Sequence, residues 1–593
     1  MAIGAALTTP AIMALGSIAD PSSQGSYIIG ASINTLLRVT VSEAPGRMGY
    51  WSFTGGVGMA DIKTVGAHLV ESLETLGVRH VFGIPGVHNL ELYRGLAASH
   101  IRHVTGRHEQ GLGFMADGYA RVSGRPGVCL TITGPGLTNI ASAMAQAYGD
   151  SIPLVVISSE NRRHEIGTGR GFLHELPNQQ AIGALVSGRA FRVDTPEALG
   201  PVLTEVFSGA SAQRPRPAYV EIPRDVLTES ARGLPMVESP AWVAVHGAPA
   251  DQVALAVEWL RAARSPLLLV GGGAVHASAA VRRLAEHLGA PVVMTVNARG
   301  VLPVGHPLAV SASPSLATIR ELIASADLVL AVGTEMGPTD YDMYAVSDFP
   351  KPARLLRIDI DPVQMRRSVL PDLELLGDAG ATLEAILAEE LGEAMPDRGV
   401  AAARAAASGA LLSLTPAMQR EVAFLNVIRA HLPEAIVVGD STQPVYAGNL
   451  YYESPRPGAW FNSSTGFGTL GYALPASTGA GLAAPDRPVV CLVGDGGIQF
   501  SLGELAVPRD VNAWSAIMVW NNQGYGEIRA SMLAVDIEPE GVDVRPPDFE
   551  PIAKAYGYGY RCVDSLVALE RVLSEFGARR QVMMIEVNAK AFE

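Results

Sequence analysis

The chain has 593 residues, 48% of them hydrophobic and 17% charged, which describes a globular protein of several domains and excludes a disordered one. Its 44 basic and 58 acidic residues leave a net charge of -14, so it lacks the cationic footprint of nonspecific nucleic-acid binders. Three cysteines, Cys129, Cys491 and Cys562, lie far apart without disulfide or zinc spacing, and a reducing cytoplasm is the simplest location.

The first 58 residues carry only Asp20, Arg38, Glu43 and Arg47 as charges and no basic start of a secretory signal. Residues 1–59 are therefore expected to be a poorly ordered extension, or to precede a true start at Met48 or Met59. From Asp61 the pattern becomes regular. VGAHLVESLETLGV spaces its apolar residues as a helix does, and HVFGIPG reads as a buried strand entering a turn. GVCLTITGPG, IPLVVISS and PAYVEIPRDV are further strands, completing a first unit over 60–230. Residues 228–248, rich in Pro, Ser and Gly, read as a linker.

A second unit, 249–395, shows SPLLLVGGGA, PVVMTVN, ADLVLAVG and ARLLRIDIDP as strands with helical stretches between them. Its VGGGA turn is a weak nucleotide signal, and the unit is read as structural. An Ala-rich connector, helical or flexible, covers 395–414. The third unit, 416–593, contains EAIVVGD, PVVCLVGDGG, WSAIMVWNN and VMMIEVN. The expected fold is α/β, three doubly wound parallel-sheet domains in succession, with the first and third as candidate distant copies. The longest uncharged runs, 126–149 and 457–485, are broken by Gly, Pro, Asn, Ser and Thr, so no membrane span is expected.

The strongest local signal is GDGGIQFSLGELAVPRDVNAWSAIMVWNNQGYGEI. One strand delivers Gly494-Asp495-Gly496-Gly497 to its carboxyl end and the next ends at Asn521-Asn522, so Asp495 and Asn522, 27 positions apart, can sit side by side. One carboxylate, one amide oxygen and a main-chain carbonyl near Gly524 suit magnesium, a hard cation that takes few protein ligands and fills its shell with phosphate. The glycines let backbone amides approach a diphosphate, helped by a helix expected to start after Gln499.

This spacing resembles the signature of thiamine diphosphate enzymes. GRHEQGLGFMADGYARVSGRPGV, followed by TGPGLTNI, is similar to the activating-glutamate segment of their acetolactate synthase-like branch. The resemblance runs over 63–587 and implies pyrimidine-binding, central and diphosphate-binding domains in that order. It makes Glu109 the group that hydrogen-bonds the aminopyrimidine ring, where a carboxyl group drives the tautomer change that activates the thiazolium carbon. Gly134, Pro135 and Asn139 would line the pyrimidine pocket, and Leu470 would prop the cofactor in its bent shape. His108 and His174 are candidate proton donors. His88, Gln110 and Glu175 are candidates to face the substrate. The family places such a glutamate against cofactor held by a second subunit, so a homodimer or tetramer is implied.

Within that branch, acetolactate synthases bind flavin and carry a tryptophan after the Asn-Asn pair. Here GEIRASMLAVDIEPEGVDVRPPDF has none, and Leu173-His174-Glu175 stands where the synthases show Phe-Gln-Glu. These departures weigh against FAD and against carboligation. FGIPGVHNLELYRGL, GRGFLHELPNQ and NNQGYGEI…DIEPEGVDV resemble bacterial 2-ketoarginine (5-guanidino-2-oxopentanoate) decarboxylases instead. That resemblance implies decarboxylation of a 2-oxo acid to an aldehyde in arginine catabolism. A guanidinium substrate wants paired carboxylates, for which Asp536, Glu538, Glu540, Asp543 and Glu175 are candidates. The alternatives are a carboligase of the acetolactate synthase type acting on pyruvate, and a noncatalytic homologue that binds the cofactor without turnover.

Overall fold

A computed structural model describes residues 26–32, 35–40, 52–56, 63–238, 246–341 and 348–592. Much of the expected extension over 1–59, and the middle of the 228–248 linker, lie outside the described residues. The chain divides into two compact units. The first, 1–63 with 230–232, contains the strands Ser26–Ser32, Thr35–Thr40 and Ser52–Gly56, paired antiparallel in that order. The second, 64–229 with 233–593, holds three six-stranded sheets with helices between the strands.

Every strand pair in these three sheets is parallel, as the alternation of short apolar runs and helical stretches predicts. Inner strands such as Leu154–Glu160 and Ser515–Asn521 are buried at every residue, because helices cover both faces of a parallel sheet. From edge to edge the first sheet runs Arg102–Thr105, His80–Gly83, Gly127–Thr131, Leu154–Glu160, Ala218–Pro223, Ala190–Arg192. The third runs Trp460–Asn462, Ile436–Gly439, Val489–Gly494, Ser515–Asn521, Val582–Asn588, Gly559–Val563. Numbered by appearance within each domain, both read 2-1-3-4-6-5, so the first and third units are copies in topology. The central sheet, starting from Ala309–Val310 at one edge, reads 3-2-1-4-5-6.

In such sheets the ligand crevice opens at the strand carboxyl ends where the order reverses, here between the first and third strands of the outer domains. The corresponding point of the central domain is closed by its own backbone. Gly273 N donates to Gly333 O at 2.9 Å, and a Cβ on Gly271 would lie 2.5 Å from the Thr334 Cα. The VGGGA glycines are thus accounted for by the close approach of two strand-end turns. The Ala-rich connector forms the helix Val400–Ser413, whose buried Ala403, Ala406 and Ala410 pack with Ile319 and Ile323.

The outer domains share one core. Helix Glu109–Ser123 crosses helix Ala473–Ala483 so closely that a Cβ on Gly118 would strike the Ala476 carbonyl, and one on Gly479 the Met115 carbonyl. Beside this crossing Arg121 is buried between Asp117 (2.7 Å) and Asp150 (2.6 Å), while Tyr472 donates to Asp117. Thr465 Oγ1 donates to Asp150 at 3.0 Å, and Thr469 Oγ1 to Gln146 at 3.0 Å. These bonds pin the loop carrying Leu470 against the first domain.

Candidate active site

In the third domain Gly494 stands opposite Trp520 on neighbouring strands, which brings Asp495 and Asn522 together as their spacing predicts. Asp495 is 1% exposed and accepts from Gly524 N at 2.9 Å. Gly524 has φ +142°, and a Cβ there would lie 2.6 Å from the Val542 carbonyl, so this turn admits only glycine. Asn522 Oδ1 lies 2.7 Å from Gly524 O and 3.1 Å from Asp495 Oδ1, and its Nδ2 donates to Gln443 Oε1 at 3.1 Å. Three oxygens, one each from a carboxylate, an amide and the main chain, therefore converge. Among the described residues no three His, Cys, Asp or Glu side chains form a metal cluster. Burial pushes the Asp495 carboxyl up to about 6. The turn of helix expected after Gln499 begins earlier: Gly497–Ala506 is 3-10 in character and kinked at Ser501, because the chain bends tightly off the strand end.

In the first domain Glu109 opens helix Glu109–Ser123 and is buried, and its Oε2 accepts from Asn139 Nδ2 at 2.9 Å. His108 is the N-cap, its ring nitrogen accepting from Gln110 N at 3.2 Å, and is exposed; Gln110 is half-buried. Glu504 of the third domain holds this helix start, accepting from Arg107 N (3.0 Å) and His108 N (2.9 Å). Burial raises its carboxyl.

Asn139 lies one turn into helix Pro135–Gly149, whose N-cap Gly134 has φ 68° and whose first position is Pro135. A Cβ on Gly134 would strike the His174 carbonyl, and the His174 ring packs edge-on to His88 with centroids 5.1 Å apart. His88 is buried, with Nδ1 2.9 Å from Thr133 Oγ1 and, among the described residues, no hydrogen-bond partner for Nε2. Burial, with Arg224 and His174 nearby, pushes it down to about 4, so it is neutral at pH 7. It lines a cavity of about 450 Å³ with Arg162, His164, Arg224 and Asp225.

Thus Glu109, Asn139, Gly134, His88 and His174 gather in one region, and Gly494, Asp495, Gly496, Gly497, Asn522 and Gly524 in another. No hydrogen bond or ion pair among the described residues joins Glu109 or Asn139 to Asp495 or Asn522. Leu470 is half-buried on its pinned loop. The Glu175 carboxylate closes a local loop, accepting from Thr168 Oγ1 and from the N–H groups of Gly169, Gly171 and Phe172. Asp543 pairs with Arg529, whereas Asp536, Glu538 and Glu540 are exposed.

Sequence reasoning passed over Gln443, Trp520 and Glu504. Gln443 follows the strand-end EAIVVGD at the point where the sheet order reverses, a position that marks it once strand adjacency is known. It also missed a carboxylate pair under helix Gln179–Ser187. Glu221 and Glu160 are buried together, and burial, then the charge of Glu160, pushes Glu221 up to about 7. A raised acid favours the folded state when protonated. Its contribution is therefore complete below the ordinary glutamate value of 4.5 and is lost as pH climbs through about 7. The loss is at most about 3 kcal/mol. Calorimetry from pH 5 to pH 8 should show Tm falling in the native protein, with a flatter profile and a higher Tm at pH 8 in Glu221→Gln.

Two strand-end clusters thus lie on topologically matched parallel sheets, one a buried acid at a helix start and one an oxygen trio. The chain belongs to the thiamine pyrophosphate enzymes. Residues 63–182 match the family's N-terminal TPP binding domain, 253–386 its central domain and 440–587 its C-terminal TPP binding domain. The chain is 44% identical to a Pseudomonas aeruginosa protein named probable 2-ketoarginine decarboxylase AruI, over 88% of this chain and 94% of the relative. It is 32% identical to the acetolactate synthase isozyme 1 large subunit of Escherichia coli, over 77% and 81% of the two chains. A Mycobacterium bovis acetolactate synthase is also 32% identical, over 83% of each. Among the described residues no helix is long and apolar enough to cross a membrane.

Proposed function

We propose that this enzyme is a thiamine diphosphate- and magnesium-dependent decarboxylase that converts 2-ketoarginine to 4-guanidinobutanal and carbon dioxide in arginine catabolism. The observation that carries this reading is the 44% identity, across 94% of its length, to the relative named for that activity, against 32% to named acetolactate synthases. When bound, thiamine diphosphate supplies a carbon nucleophile and accepts the electrons left by departing carbon dioxide.

The chain's own groups divide the remaining work. Glu109, oriented by Asn139, would hold a proton at the pyrimidine nitrogen, and Gly134 and Pro135 would line that pocket from a turn packed against the His174 carbonyl. Leu470 would prop the cofactor from its pinned loop. Asp495, Asn522 and the Gly524 carbonyl would hold magnesium, and Gly494, Gly496 and Gly497 would let a diphosphate approach the backbone. The donor set fits this cation: with the Asn522 nitrogen turned to Gln443 Oε1, its amide oxygen is left to face the Gly524 carbonyl and Asp495. His108 and His174 are the proton donors on the substrate side, where Gln110 also faces. His88, neutral at pH 7, serves there as a hydrogen-bond partner and not as a cation. Glu175 and Asp543 are engaged locally, which leaves Asp536, Glu538 and Glu540 to meet the guanidinium. The family resemblance, in which such a glutamate serves cofactor held by a second subunit, favours a homodimer or tetramer with sites between subunits, located in the cytoplasm.

The test is a substrate comparison on protein stripped of cofactor and recharged with thiamine diphosphate and magnesium. Turnover of 2-ketoarginine to an aldehyde should exceed that of pyruvate by about 10⁴-fold in kcat/KM, because a site built for polar contacts rejects a substrate that lacks them. Faster use of pyruvate with formation of acetolactate would reassign the enzyme as a carboligase. Absence of carbon dioxide release from any 2-oxo acid would leave a noncatalytic homologue.

A further inference from the structure

Behind the oxygen trio lie two side chains with no assigned part in the reaction. We infer that Trp520 and Gln443 form a positioning device that dictates which end of the Asn522 amide faces the cation, and thereby sets the protein's affinity for it. The inference rests on the reading of Asp495, Asn522 and Gly524 as the cation site.

The argument is one of donors and acceptors. An indole N–H can only donate, and Trp520 Nε1 lies 2.9 Å from the Gln443 side-chain atom it meets, so that atom is the amide oxygen. The same oxygen has a second lone pair, and the Asn522 amide lies 3.1 Å from it. Facing an acceptor, Asn522 must present its nitrogen, which turns its own oxygen toward Gly524 O (2.7 Å) and Asp495 Oδ1 (3.1 Å). Rotated by half a turn, the amide would donate to both oxygens, but its own oxygen would then oppose Gln443 Oε1 at 3.1 Å. Gln443 cannot answer by turning, because its nitrogen would meet the indole N–H.

The anchor is rigid. Trp520 is 2% exposed, on a strand buried at every residue, with Phe424 edge-on at 5.4 Å and Phe592 at 5.7 Å. Gln443 opens the helix Gln443–Leu450 at the end of a strand adjoining Val489–Gly494, so three strand ends meet at this relay. Gly526 leaves room for the amide nitrogen, since a Cβ there would lie 2.6 Å from Asn522 Nδ2. Two oxygens 2.7 Å apart repel unless a cation lies between them. The relay therefore holds open an arrangement that favours a cation over self-bonding of the amide.

The readout is Mn²⁺ binding, followed by electron paramagnetic resonance during titration of the full-length protein at saturating thiamine diphosphate. Gln443→Leu should weaken Mn²⁺ binding by about 10–100-fold, the usual effect of losing an outer-shell partner of a metal ligand. Trp520→Phe, which keeps a ring but removes the donor, should weaken it in the same direction. Gln443→Glu retains an oxygen for both donors and should stay within about threefold of the native affinity. A merely structural Gln443 would lower Tm in all variants without this ordering of affinities. A folded Gln443→Leu that binds Mn²⁺ as the native protein does, or a Gln443→Glu as weak as the leucine variant, would overturn the inference. If Gln443→Leu does not fold, native-like Mn²⁺ affinity in Trp520→Phe overturns it equally. Native protein that binds no Mn²⁺, or Asp495→Ala that binds it normally, would instead defeat the cation site on which the inference rests.

Discussion

Glu109→Gln is expected to lower kcat by about 10²–10⁴-fold, the range associated with a positioned acid–base group, while thiamine diphosphate binds within a few fold of normal. The reason is that glutamine keeps the volume of the buried side chain and can still offer an oxygen to Asn139 Nδ2, now 2.9 Å from Glu109 Oε2. It cannot carry an exchangeable proton to the pyrimidine nitrogen. The diphosphate end is held by other residues on another domain, so binding and turnover should separate cleanly. Steady-state rates set against cofactor affinity from tryptophan quenching provide the measurement. Unimpaired turnover would remove Glu109 from the chemistry. Equal loss of binding and rate would make it a packing residue.

Asp495→Asn should have the opposite profile, losing cofactor retention and gaining stability when no cofactor is present. The carboxyl is buried and pushed up to about 6 from an ordinary 3.8, so above pH 6 the cofactor-free protein carries an ion that burial disfavours. Its contribution to stability is complete below 3.8 and is lost as pH rises through about 6. The asparagine variant lacks this dependence, while an amide oxygen can still accept from Gly524 N. Its cofactor-free Tm at pH 8 should therefore exceed the native value. With magnesium and thiamine diphosphate at a hundred times Kd, the native protein should gain about 2.7 kcal/mol and the variant almost none, because the charged ligand to the cation is gone. Thermal scans with and without cofactor at pH 5 and pH 8 test both halves. A variant that gains as much stability from the cofactor as the native protein would remove Asp495 from the metal site.

The inner strands of each sheet were legible and the edges were not. HVFGIPG, GVCLTITGPG, IPLVVISS and PAYVEIPRDV became the four inner strands of the first sheet, while its edges, Arg102–Thr105 and Ala190–Arg192, escaped notice. The central and third sheets repeat this outcome, with Ala309–Val310, Leu373–Leu376, Trp460–Asn462 and Gly559–Val563 as the unread edges. Inner strands of parallel sheets are covered on both faces and show as unbroken apolar runs. Edge strands are short or half exposed, as in the pattern of Gly559–Val563, and carry no such run.

The site divides along the same physical line. The pairing of Asp495 with Asn522, the glycines around them and Glu109 at a helix start were determined by the sequence itself, because each is encoded within one strand-to-turn segment whose local pattern survives in any alternating α/β chain. Which segments adjoin was decided only by the tertiary structure: Glu504 reaching back to the start of the Glu109 helix, Asp150 tying down the loop of Leu470, and Trp520 acting through Gln443 on Asn522. Such contacts join positions tens to hundreds of residues apart, and a side-chain hydrogen bond has a range of about 3 Å, so no periodicity in the chain can announce it.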